Sequence, residues 1–299
     1  MKHCEKKVFI STGAFGRRPI PQILEISSWN NISYLELSSD AVFKESDWPH
    51  VVSLAQNRTF HFLIHNYFPT PQVPFVLNLA SADSKILRLS REHCQKAIDC
   101  CVQIGAPFYS VHSGFCFNAQ PMHLGQKQTS LNRISKTEAQ EIFIESVRSL
   151  ADYAALNHLS ILLENNVLTS VNLVQGRNET LLFVEADEIV GTIEKINKQN
   201  VGFLLDVGHL KVSARSLNID CGGFFDQVSP VLKAVHLSDN NGESDSNQKI
   251  TADSWFWRPL MNRASLDIHW ILEVYNLSPE EIVQQLSLAE ALIQKGVLT

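Results

Sequence analysis

Acidic and histidine side chains recur at the ends of short apolar runs along the whole chain. The residues with this placement are His65, His112, Glu164, Asp206, His209, His236 and Glu273. If the runs are parallel strands of a barrel, they end on one face, so these side chains would meet there despite their separation in sequence. Carboxylates and imidazoles gathered in one pocket are costly to bury alone, and a divalent metal ion stabilises them. The pattern therefore predicts a metal site.

Four of these residues end the last four apolar runs and give the clearest ligand set. Glu164 follows SILL, Asp206 follows GFLL, His236 follows KAV and Glu273 follows HWIL. Taken alone, a strand-end carboxylate can reach water, an aspartate can cap the next helix, and an imidazole can bond a backbone carbonyl. The same coincidence on four successive runs favours a shared ion. Three oxygen ligands and one nitrogen ligand suit Mn²⁺, Mg²⁺, Co²⁺ or Zn²⁺.

The sequence also allows a second metal ion, but it does not decide between an ion and a substrate group at this position. His65 and His112 end the third and fourth runs, next to Glu164 in a barrel. Two imidazoles and a shared carboxylate would hold a second metal ion, and they would equally bind a hydroxyl or phosphate group of a substrate. Glu36 also ends an apolar run, and for it we expect a structural hydrogen bond rather than a ligand role.

Eight apolar runs are predicted to form strands. They are Val8–Thr12, Ser33–Leu37, His61–His65, Phe108–His112, Ser160–Glu164, Gly202–Asp206, Lys233–Leu237 and Ile268–Val274. Most are continuous apolar stretches rather than strict alternations of apolar and polar residues. This composition is typical of parallel strands that are buried on both faces.

Segments of helical period separate the runs. Ser84–Ile104, Thr137–Leu156 and Glu185–Ile196 are predicted helices, and Ser278 is a predicted N-cap that begins another. The repeated alternation of strand and helix predicts an α/β fold, a (β/α)₈ TIM barrel, with residues 1–299 as a single domain.

Two connections are longer and more polar than the others. Gly114–Lys136 follows the fourth run and Asp239–Ser254 follows the seventh, so both belong to the face that carries the acidic and histidine residues. Loops on that face bind substrates in barrel enzymes, and we expect the same here. Just beyond the second loop, Trp255, Phe256 and Trp257 would either form a wall over a substrate or pack against a helix or another subunit. Packing is the favoured interpretation, because large aromatic side chains bury area wherever they can.

Composition excludes several classes of protein. The net charge is −6 and no basic run is present, which disfavours a dedicated nucleic-acid binder. The six cysteines lack a C-x-x-C spacing, so we expect free thiols in a reducing cytoplasm. The apolar stretch near the start, VFI, is too short for a signal peptide, and no run approaches the roughly 20 apolar residues that span a bilayer. We therefore expect a cytoplasmic protein with no membrane partner.

The strand-end motifs resemble those of the xylose-isomerase-like TIM-barrel superfamily, and the resemblance extends over nearly the whole chain. The motifs are YLELS at 34–38, HNYFP at 65–69, FVLNLAS at 75–81, SVHSG at 110–114, LLEN at 162–165, LLDVGH at 204–209, HLSDN at 236–240 and ILEVY at 271–275. That superfamily includes sugar isomerases, ketose 3-epimerases, inosose dehydratases and endonuclease IV-type enzymes. As a set the motifs indicate the superfamily but do not select one reaction.

The resemblance also implies roles for individual residues. Glu164, Asp206, His236 and Glu273 match the four metal ligands of the epimerase branch, in which the two glutamates are also the acid/base pair. His209 matches a histidine that contacts the substrate in that branch. The residues that match additional zinc ligands of the endonuclease branch are His65, His112 and His209.

The chain departs from the endonuclease pattern after the seventh run. That branch carries a D-x-H element there, which completes a third zinc site. Here the segment reads NGESDSNQK, so Asp245 can stand for the aspartate but Asn247 occupies the histidine position. Because an amide is a poor zinc ligand, this segment disfavours three-metal phosphodiester hydrolysis.

The combined expectation is a divalent-metal-dependent isomerase or epimerase of a sugar or sugar derivative. Glu164 and Glu273 would move protons beside a carbonyl through an enediolate, and His209, His65 and His112 would contact the sugar or polyol substrate. Three alternatives stay open: a metal-dependent phosphoesterase of the endonuclease IV type, a sugar dehydratase, and a non-catalytic barrel. Assembly into a homo-oligomer is also left open.

Overall fold

The computed structural model describes residues 7–123, 126–128, 132–261 and 267–298. Cys4 and parts of the loop Gly114–Lys136 lie outside the described residues. The other five cysteines are unpaired, as the sequence predicts. The limits 1–299 for the single domain stay a prediction.

Eight parallel strands form a closed barrel in chain order, which confirms the predicted (β/α)₈ TIM barrel. The strands are β1 Val8–Ser11, β2 Tyr34–Leu37, β3 His61–His65, β4 Phe108–His112, β5 Ser160–Glu164, β6 Val201–Asp206, β7 Leu232–Leu237 and β8 His269–Leu272. Each predicted run overlaps one of them, with bounds that differ by at most two residues. Glu273 therefore lies directly after β8 rather than inside it.

Helices connect the strands on the outside of the barrel. They are α1 Ile20–Trp29, α2 Trp48–Gln56, α3 Ser84–Ile104, α4 Lys136–Ala155, α5 Ala186–Ile196, α6 Val207–Leu217, α7 Cys221–Val228, α8 Trp257–Met261 and α9 Pro279–Leu298. Short 3₁₀ turns at Thr12–Phe15, Glu45–Asp47, Pro121–His123 and Ser170–Asn172 lie in the loops. Within the described residues, no helix is both long enough and apolar enough to cross a bilayer.

Local signals in the sequence explain where the long helices begin and end. The Asp83 side chain accepts hydrogen bonds from the backbone N–H groups of Lys85 and Ile86 at the start of α3, and Gly105 ends that helix at φ 66°. At the start of α9, the Ser278 hydroxyl accepts a hydrogen bond from the backbone N–H of Glu281 at 3.2 Å. The N-cap predicted at Ser278 is therefore present.

The barrel interior is filled by one apolar layer. Its fully or almost fully buried members are Phe9, Leu63, Phe108, Leu162, Leu204, Ala234 and Ile271. A larger apolar cluster fills the space between the strands and the helices. Because side chains alternate between the two faces of a strand, the residue two positions beyond each inner-layer residue also points inward, closer to the carboxyl end of the barrel.

The aromatic cluster after the seventh strand packs into the protein. Phe256 is fully buried, and the indole N–H of Trp257 donates to the backbone carbonyl of Thr251 at 2.8 Å. The Trp255 ring lies 6.1 Å from the ring of Phe225 on α7. This geometry agrees with the packing interpretation of the three residues.

Two glycines offer a paired test of how tightly the carboxyl end of β4 is packed. A Cβ on Gly114 would lie 2.5 Å from the Cβ of Ala80 and 2.9 Å from its backbone nitrogen, whereas a Cβ on Gly191 in α5 would meet nothing within 4 Å. We expect Gly114→Ala to lower the free energy of unfolding by about 1–3 kcal/mol. Gly191→Ala should raise it by about 0.5–1 kcal/mol, since alanine favours the helix. Urea unfolding midpoints measure both changes, and a Gly114→Ala protein as stable as the parent would contradict the packing.

Candidate metal centre

Strand periodicity carries the predicted residues to one place. Glu164, Asp206, His236 and Glu273 each lie two residues beyond an inner-layer residue, which are respectively Leu162, Leu204, Ala234 and Ile271. His65 follows Leu63 in the same way, and His112 lies four residues beyond Phe108. The strand register keeps them level, since His112 pairs with Glu164 and Asp206 pairs with His236. All six side chains therefore meet above the apolar layer.

The four residues of the clearest ligand set form one compact group. Each offers a ligand atom, and these atoms all lie within 4.8 Å of one another. The Nδ1 atom of His236 lies 3.0 Å from Glu273 Oε2, 3.6 Å from Glu164 Oε1 and 3.9 Å from Asp206 Oδ2. The structure thus brings Glu164, Asp206, His236 and Glu273 together, while their role as ligands stays a prediction.

Unpaired polar atoms show that this group fits a cation. Both carboxylate oxygens of Glu164 and Oδ2 of Asp206 are buried and have no hydrogen-bond partner among the described residues. Leaving such atoms without a partner is unfavourable, and for a carboxylate the cost is larger than for a neutral group. A divalent cation would satisfy all of them at once, and the three-oxygen, one-nitrogen donor set suits Mn²⁺, Mg²⁺, Co²⁺ or Zn²⁺.

The two histidines from β3 and β4 share the carboxylate of Glu164. Nε2 of His65 lies 3.4 Å and Nε2 of His112 lies 3.6 Å from Glu164 Oε2. The other ring nitrogen of His65 lies 3.1 Å from the Ser110 hydroxyl, which fixes the ring orientation. One atom each of His65, His112 and Glu164 lie close enough together to hold an ion. The geometry keeps the predicted second site open.

His209 sits beside the first group rather than in it. Its Nδ1 lies 2.8 Å from the backbone carbonyl of Asn165 and 3.4 Å from Glu164 Oε1, and its Nε2 lies 3.1 Å from Asp245 Oδ2. Its backbone N–H donates to Asp206 Oδ1 at 2.7 Å. Asp206 therefore caps α6 with one oxygen and presents the other, Oδ2, to the cluster, so the two interpretations of this aspartate are compatible.

Asn247 does not complete a third ligand group with His209 and Asp245. Its side-chain amide donates to the backbone carbonyl of Glu273 at 3.2 Å. Its backbone carbonyl accepts a hydrogen bond from the backbone N–H of Tyr275 at 3.0 Å. Asn247 thus ties the loop after β7 to the end of β8. This use of the amide agrees with the expectation that the segment departs from the three-zinc pattern.

Glu36 supports His236 from the side opposite the cluster. Its Oε1 lies 3.0 Å from Nε2 of His236, and both side chains are fully buried. A carboxylate at Nε2 favours the proton there, which leaves Nδ1 free to act as a ligand. The hydrogen-bonding role expected for Glu36 is therefore present, and the structure adds that its partner is a candidate ligand.

Tyr275 is a neighbour of the centre that sequence patterns did not single out. Its hydroxyl donates to Glu273 Oε1 at 3.4 Å. Its ring also explains Gly13 in the 3₁₀ turn after β1, since a Cβ there would lie only 2.6 Å from the ring. The sequence shows only that Tyr275 lies two residues after a candidate ligand, and this spacing does not predict where its side chain points.

The environment separates the pKa values of the two glutamates in the metal-free chain. Burial alone would raise the pKa of Glu164, but the nearby imidazoles of His112 and His65 outweigh it and lower that pKa well below its ordinary value. Burial raises the pKa of Glu273, and the charge of Glu164 adds to the increase against the opposing effect of His236. Glu273 therefore keeps its proton to a higher pH than Glu164 does.

Burial also acts on the remaining groups. It raises the pKa of Asp206 to about 8, with the carboxylate of Glu273 adding to the increase and His209 opposing it. Burial lowers the pKa of His65 and of His112, so both imidazoles favour the neutral form that binds metal ions.

Comparison with known proteins gives a family and a fold. A family model described as xylose isomerase-like TIM barrel matches residues 31–274. No match is found among curated protein sequences. A D-tagatose 3-epimerase-like protein of known structure superposes with a TM-score of 0.68 at 17% identity, covering 94% of this chain and 99% of that chain.

Two further solved structures share the architecture over almost their full length. The D-psicose 3-epimerase of Clostridium cellulolyticum H10, solved with D-tagatose, has a TM-score of 0.65 at 13% identity and covers 97% of this chain and 95% of that chain. A xylose isomerase-like TIM barrel protein of Mycobacterium smegmatis, in complex with magnesium, has a TM-score of 0.68 at 13% identity, covering 98% of each chain. At these identities the likeness shows the fold.

The bond between Glu36 and His236 predicts a graded loss of metal affinity. Glu36→Gln keeps the shape but removes the charge, so we expect the dissociation constant for Mn²⁺ to rise about tenfold, and Glu36→Leu should raise it about a hundredfold. Isothermal titration calorimetry on metal-free protein measures both. Glu92→Gln on the exposed face of α3 is the matched control and should bind as the parent does. An unchanged constant in both Glu36 variants would show that the carboxylate does not prepare His236 for binding.

The raised pKa of Asp206 predicts that stabilisation by a metal ion grows with pH. The pKa of Asp206 is about 8 in the folded chain and 3.8 in the unfolded chain. Between these two values only the folded chain keeps the carboxyl proton, so the metal-free protein loses stability as the pH rises toward 8. A cation binds the ionised carboxylate, so it binds more tightly as the pH approaches and passes the pKa of Asp206. The melting temperature of the Mn²⁺-saturated protein should therefore exceed that of the metal-free protein by a margin that widens from about pH 6 to about pH 9. Asp206→Asn should flatten this dependence, and a margin that stays constant in the parent would contradict it.

Proposed function

Because the chain belongs to the xylose isomerase-like TIM barrel family, we propose that it is a divalent-metal-dependent isomerase or epimerase of a sugar or sugar derivative. The observation that carries the proposal is the buried group of three carboxylates and one imidazole with unpaired atoms. Such a group combines a cation site with two glutamates that can exchange protons with a substrate. Relatives of similar fold include ketose 3-epimerases, which agrees with this choice.

Glu164, Asp206, His236 and Glu273 would hold the ion. Mn²⁺, Mg²⁺, Co²⁺ and Zn²⁺ all fit the donor set. When bound, the ion supplies Lewis-acid polarisation of the oxygens of a carbonyl and an adjacent hydroxyl group. The apolar layer beneath the four residues keeps water from their inner side, which strengthens every charge interaction in the centre.

The two glutamates would move the proton. Glu164, as the carboxylate, takes the proton from the carbon beside the carbonyl. The C–H electron pair becomes the C=C bond of the enediolate, and the π pair of the carbonyl moves to its oxygen. The carboxyl group of Glu273 then returns a proton. Delivery to the same carbon from the opposite side gives an epimer, as the oxyanion becomes the carbonyl again. Delivery to the former carbonyl carbon gives an aldose–ketose isomer, provided that the hydroxyl proton moves from the adjacent oxygen to the oxyanion and the adjacent oxygen becomes the new carbonyl.

The exposed edge of the centre indicates where the sugar would enter. The His112 side chain is 29% exposed and that of Asp245 is 23% exposed, whereas those of His65 and His209 are 5% and 6% exposed. We therefore assign the first contacts with substrate hydroxyl groups to His112 and Asp245, and His209 lies behind Asp245, with its Nε2 3.1 Å from Asp245 Oδ2. His65 lies deeper and orients Glu164.

Phosphoester hydrolysis is the second candidate, because His65, His112 and Glu164 form a second group that would suit an ion. Against it, Asn247 gives its amide to the backbone of Glu273 instead of joining His209 and Asp245. The net charge of −6 also disfavours a large anionic substrate. The acid/base reaction remains the first choice.

Exchange of substrate hydrogen with solvent tests the proposed reaction. With Mn²⁺ in D₂O, we expect the parent protein to introduce deuterium beside the carbonyl of at least one ketose from a panel of ketopentoses and ketohexoses, as read by NMR. Glu164→Gln and Glu273→Gln should each lower the exchange rate by about a factor of 100 or more, because each removes a proton carrier. Glu194→Gln on the exposed face of α5 is the control and should leave the rate unchanged.

Metal content and DNA cleavage separate the alternatives. Elemental analysis should find about one ion per chain for the proposed reaction and about two or three for a hydrolase. Cleavage of abasic-site DNA would place hydrolysis first. Retention of sugar binding with no hydrogen exchange, in the parent and in Glu164→Gln alike, would identify a non-catalytic barrel.

A further inference from the structure

A cavity adjoins the metal centre on the side of β4 and β5. It has a volume of about 230 Å³ and lies between the loops that follow these two strands. Its wall includes Asn166 and Val167, and Asn166 is only two residues from Glu164. Two residues of chain span at most about 7 Å, so the wall begins within the length of one sugar ring from the proposed base.

Hydrogen bonds hold this wall against the accessible edge of the centre. The side-chain amide of Asn166 donates to the backbone carbonyls of Ser113 and Leu182, each at 2.8 Å. Ser113 directly follows His112, the most exposed histidine of the centre. The loops after β4 and β5 are thereby joined one residue beyond His112 and two residues beyond Glu164.

The floor of the cavity is apolar. Phe115 and Phe117 line it with their rings stacked 5.5 Å apart at 22°, and Leu181 lies beside them. Phe117 and Leu181 belong to a small apolar cluster that is separate from the two clusters of the barrel. Within the loops that form the wall, Met122 and Val171 leave 73% and 58% of their surface exposed. The loops after β4 and β5 thus present an apolar surface, which suits an apolar ligand group better than a hydroxyl-rich one.

The polar groups of the cavity are largely used by the protein itself. Asn172 accepts a hydrogen bond from the backbone N–H of Gln128 at 2.8 Å, and its amide donates to the Thr169 hydroxyl at 3.4 Å. The side-chain N–H groups of Asn166 donate to backbone carbonyls of the cavity wall. None of the described residues that line the cavity is ionisable. A second sugar ring or a phosphate group would find few free partners here, whereas an apolar group needs none.

On the premise of the proposed function, we propose that this cavity binds an apolar group carried by the sugar. The substrate class is then a sugar with an aryl or branched alkyl substituent, and a free ketose fills only the part of the site at Glu164 and Glu273. The sugar ring lies at Glu164 and Glu273, and the substituent lies on Phe115 and Phe117. The size agrees, because an apolar cavity of about 150 Å³ is large enough for benzene.

Paired glycosides that differ only in the substituent test the proposal. Phenyl and methyl β-glycosides of the gluco, galacto and manno series carry the ring and the substituent but no carbonyl, so binding to the Mn²⁺-loaded protein is measured without turnover. By isothermal titration calorimetry we expect at least one phenyl glycoside to bind about tenfold or more tightly than its methyl partner, equal to about 1.4 kcal/mol. Phe115→Ala should remove the difference, and Ala119→Trp should remove it by filling the cavity.

Phe43→Ala is the matched control, since Phe43 is a half-buried phenylalanine on the loop after β2 that packs on Phe68 and lies outside the cavity. It should keep the preference for phenyl. Equal affinity for both members of every pair overturns the proposal, as does a preference that survives both Phe115→Ala and Ala119→Trp, or no binding by either series. Hydrogen exchange on free ketoses together with equal affinities would refute this inference alone. A preference for phenyl without exchange on any ketose would refute the proposed reaction alone.

Discussion

The two-residue period of a β-strand is the constraint on which the centre depends. Each strand that contributes to it carries an inward apolar residue and, two or four residues later, an inward polar one. The pairs are Leu63 and His65, Phe108 and His112, Leu162 and Glu164, Leu204 and Asp206, Ala234 and His236, and Ile271 and Glu273. A closed parallel barrel converts this repeat into two levels, an apolar floor and a polar ring. A slip of one residue in any strand would turn its polar group toward the helices.

The apolar floor makes the polar ring both costly and reactive. Charges above a dry layer are poorly solvated, so each must find a partner or change its protonation. Ser110 orients His65, the Asn165 carbonyl holds His209, and Glu36 holds His236. These contacts fix the rings but leave both Glu164 oxygens unpaired within the described part of the chain. The unpaired carboxylate is thus the centre of the arrangement, shared between two candidate ion positions.

Periodicity in the sequence was sufficient to predict the barrel and the members of the ring, because strand ends in a parallel barrel must coincide. It could not predict which supporting contacts form. Asp245 reaches His209 only through the course of the loop after β7, and the direction of the Tyr275 side chain depends on how the chain leaves β8. The cavity at Phe115 and Phe117 combines two loops that are distant in sequence. Loop geometry carries no fixed period, and for this reason such features appeared only in the structure.

The difference between strand residues and loop residues also explains why the polar ring at the strand ends does not select the reaction. Its deepest members, His236 and Glu164, are fully buried, so neither side chain can contact the outer part of a substrate. Selectivity must therefore come from groups nearer the surface, and these belong to loops. Asn247 shows the effect: by bonding to the backbone of Glu273, it positions a proposed acid instead of extending the ligand set toward a third ion. On the other side, Asn166 joins the loops that form the apolar cavity. One floor can thus serve several reactions, while the loops above it decide which substrate reaches Glu164.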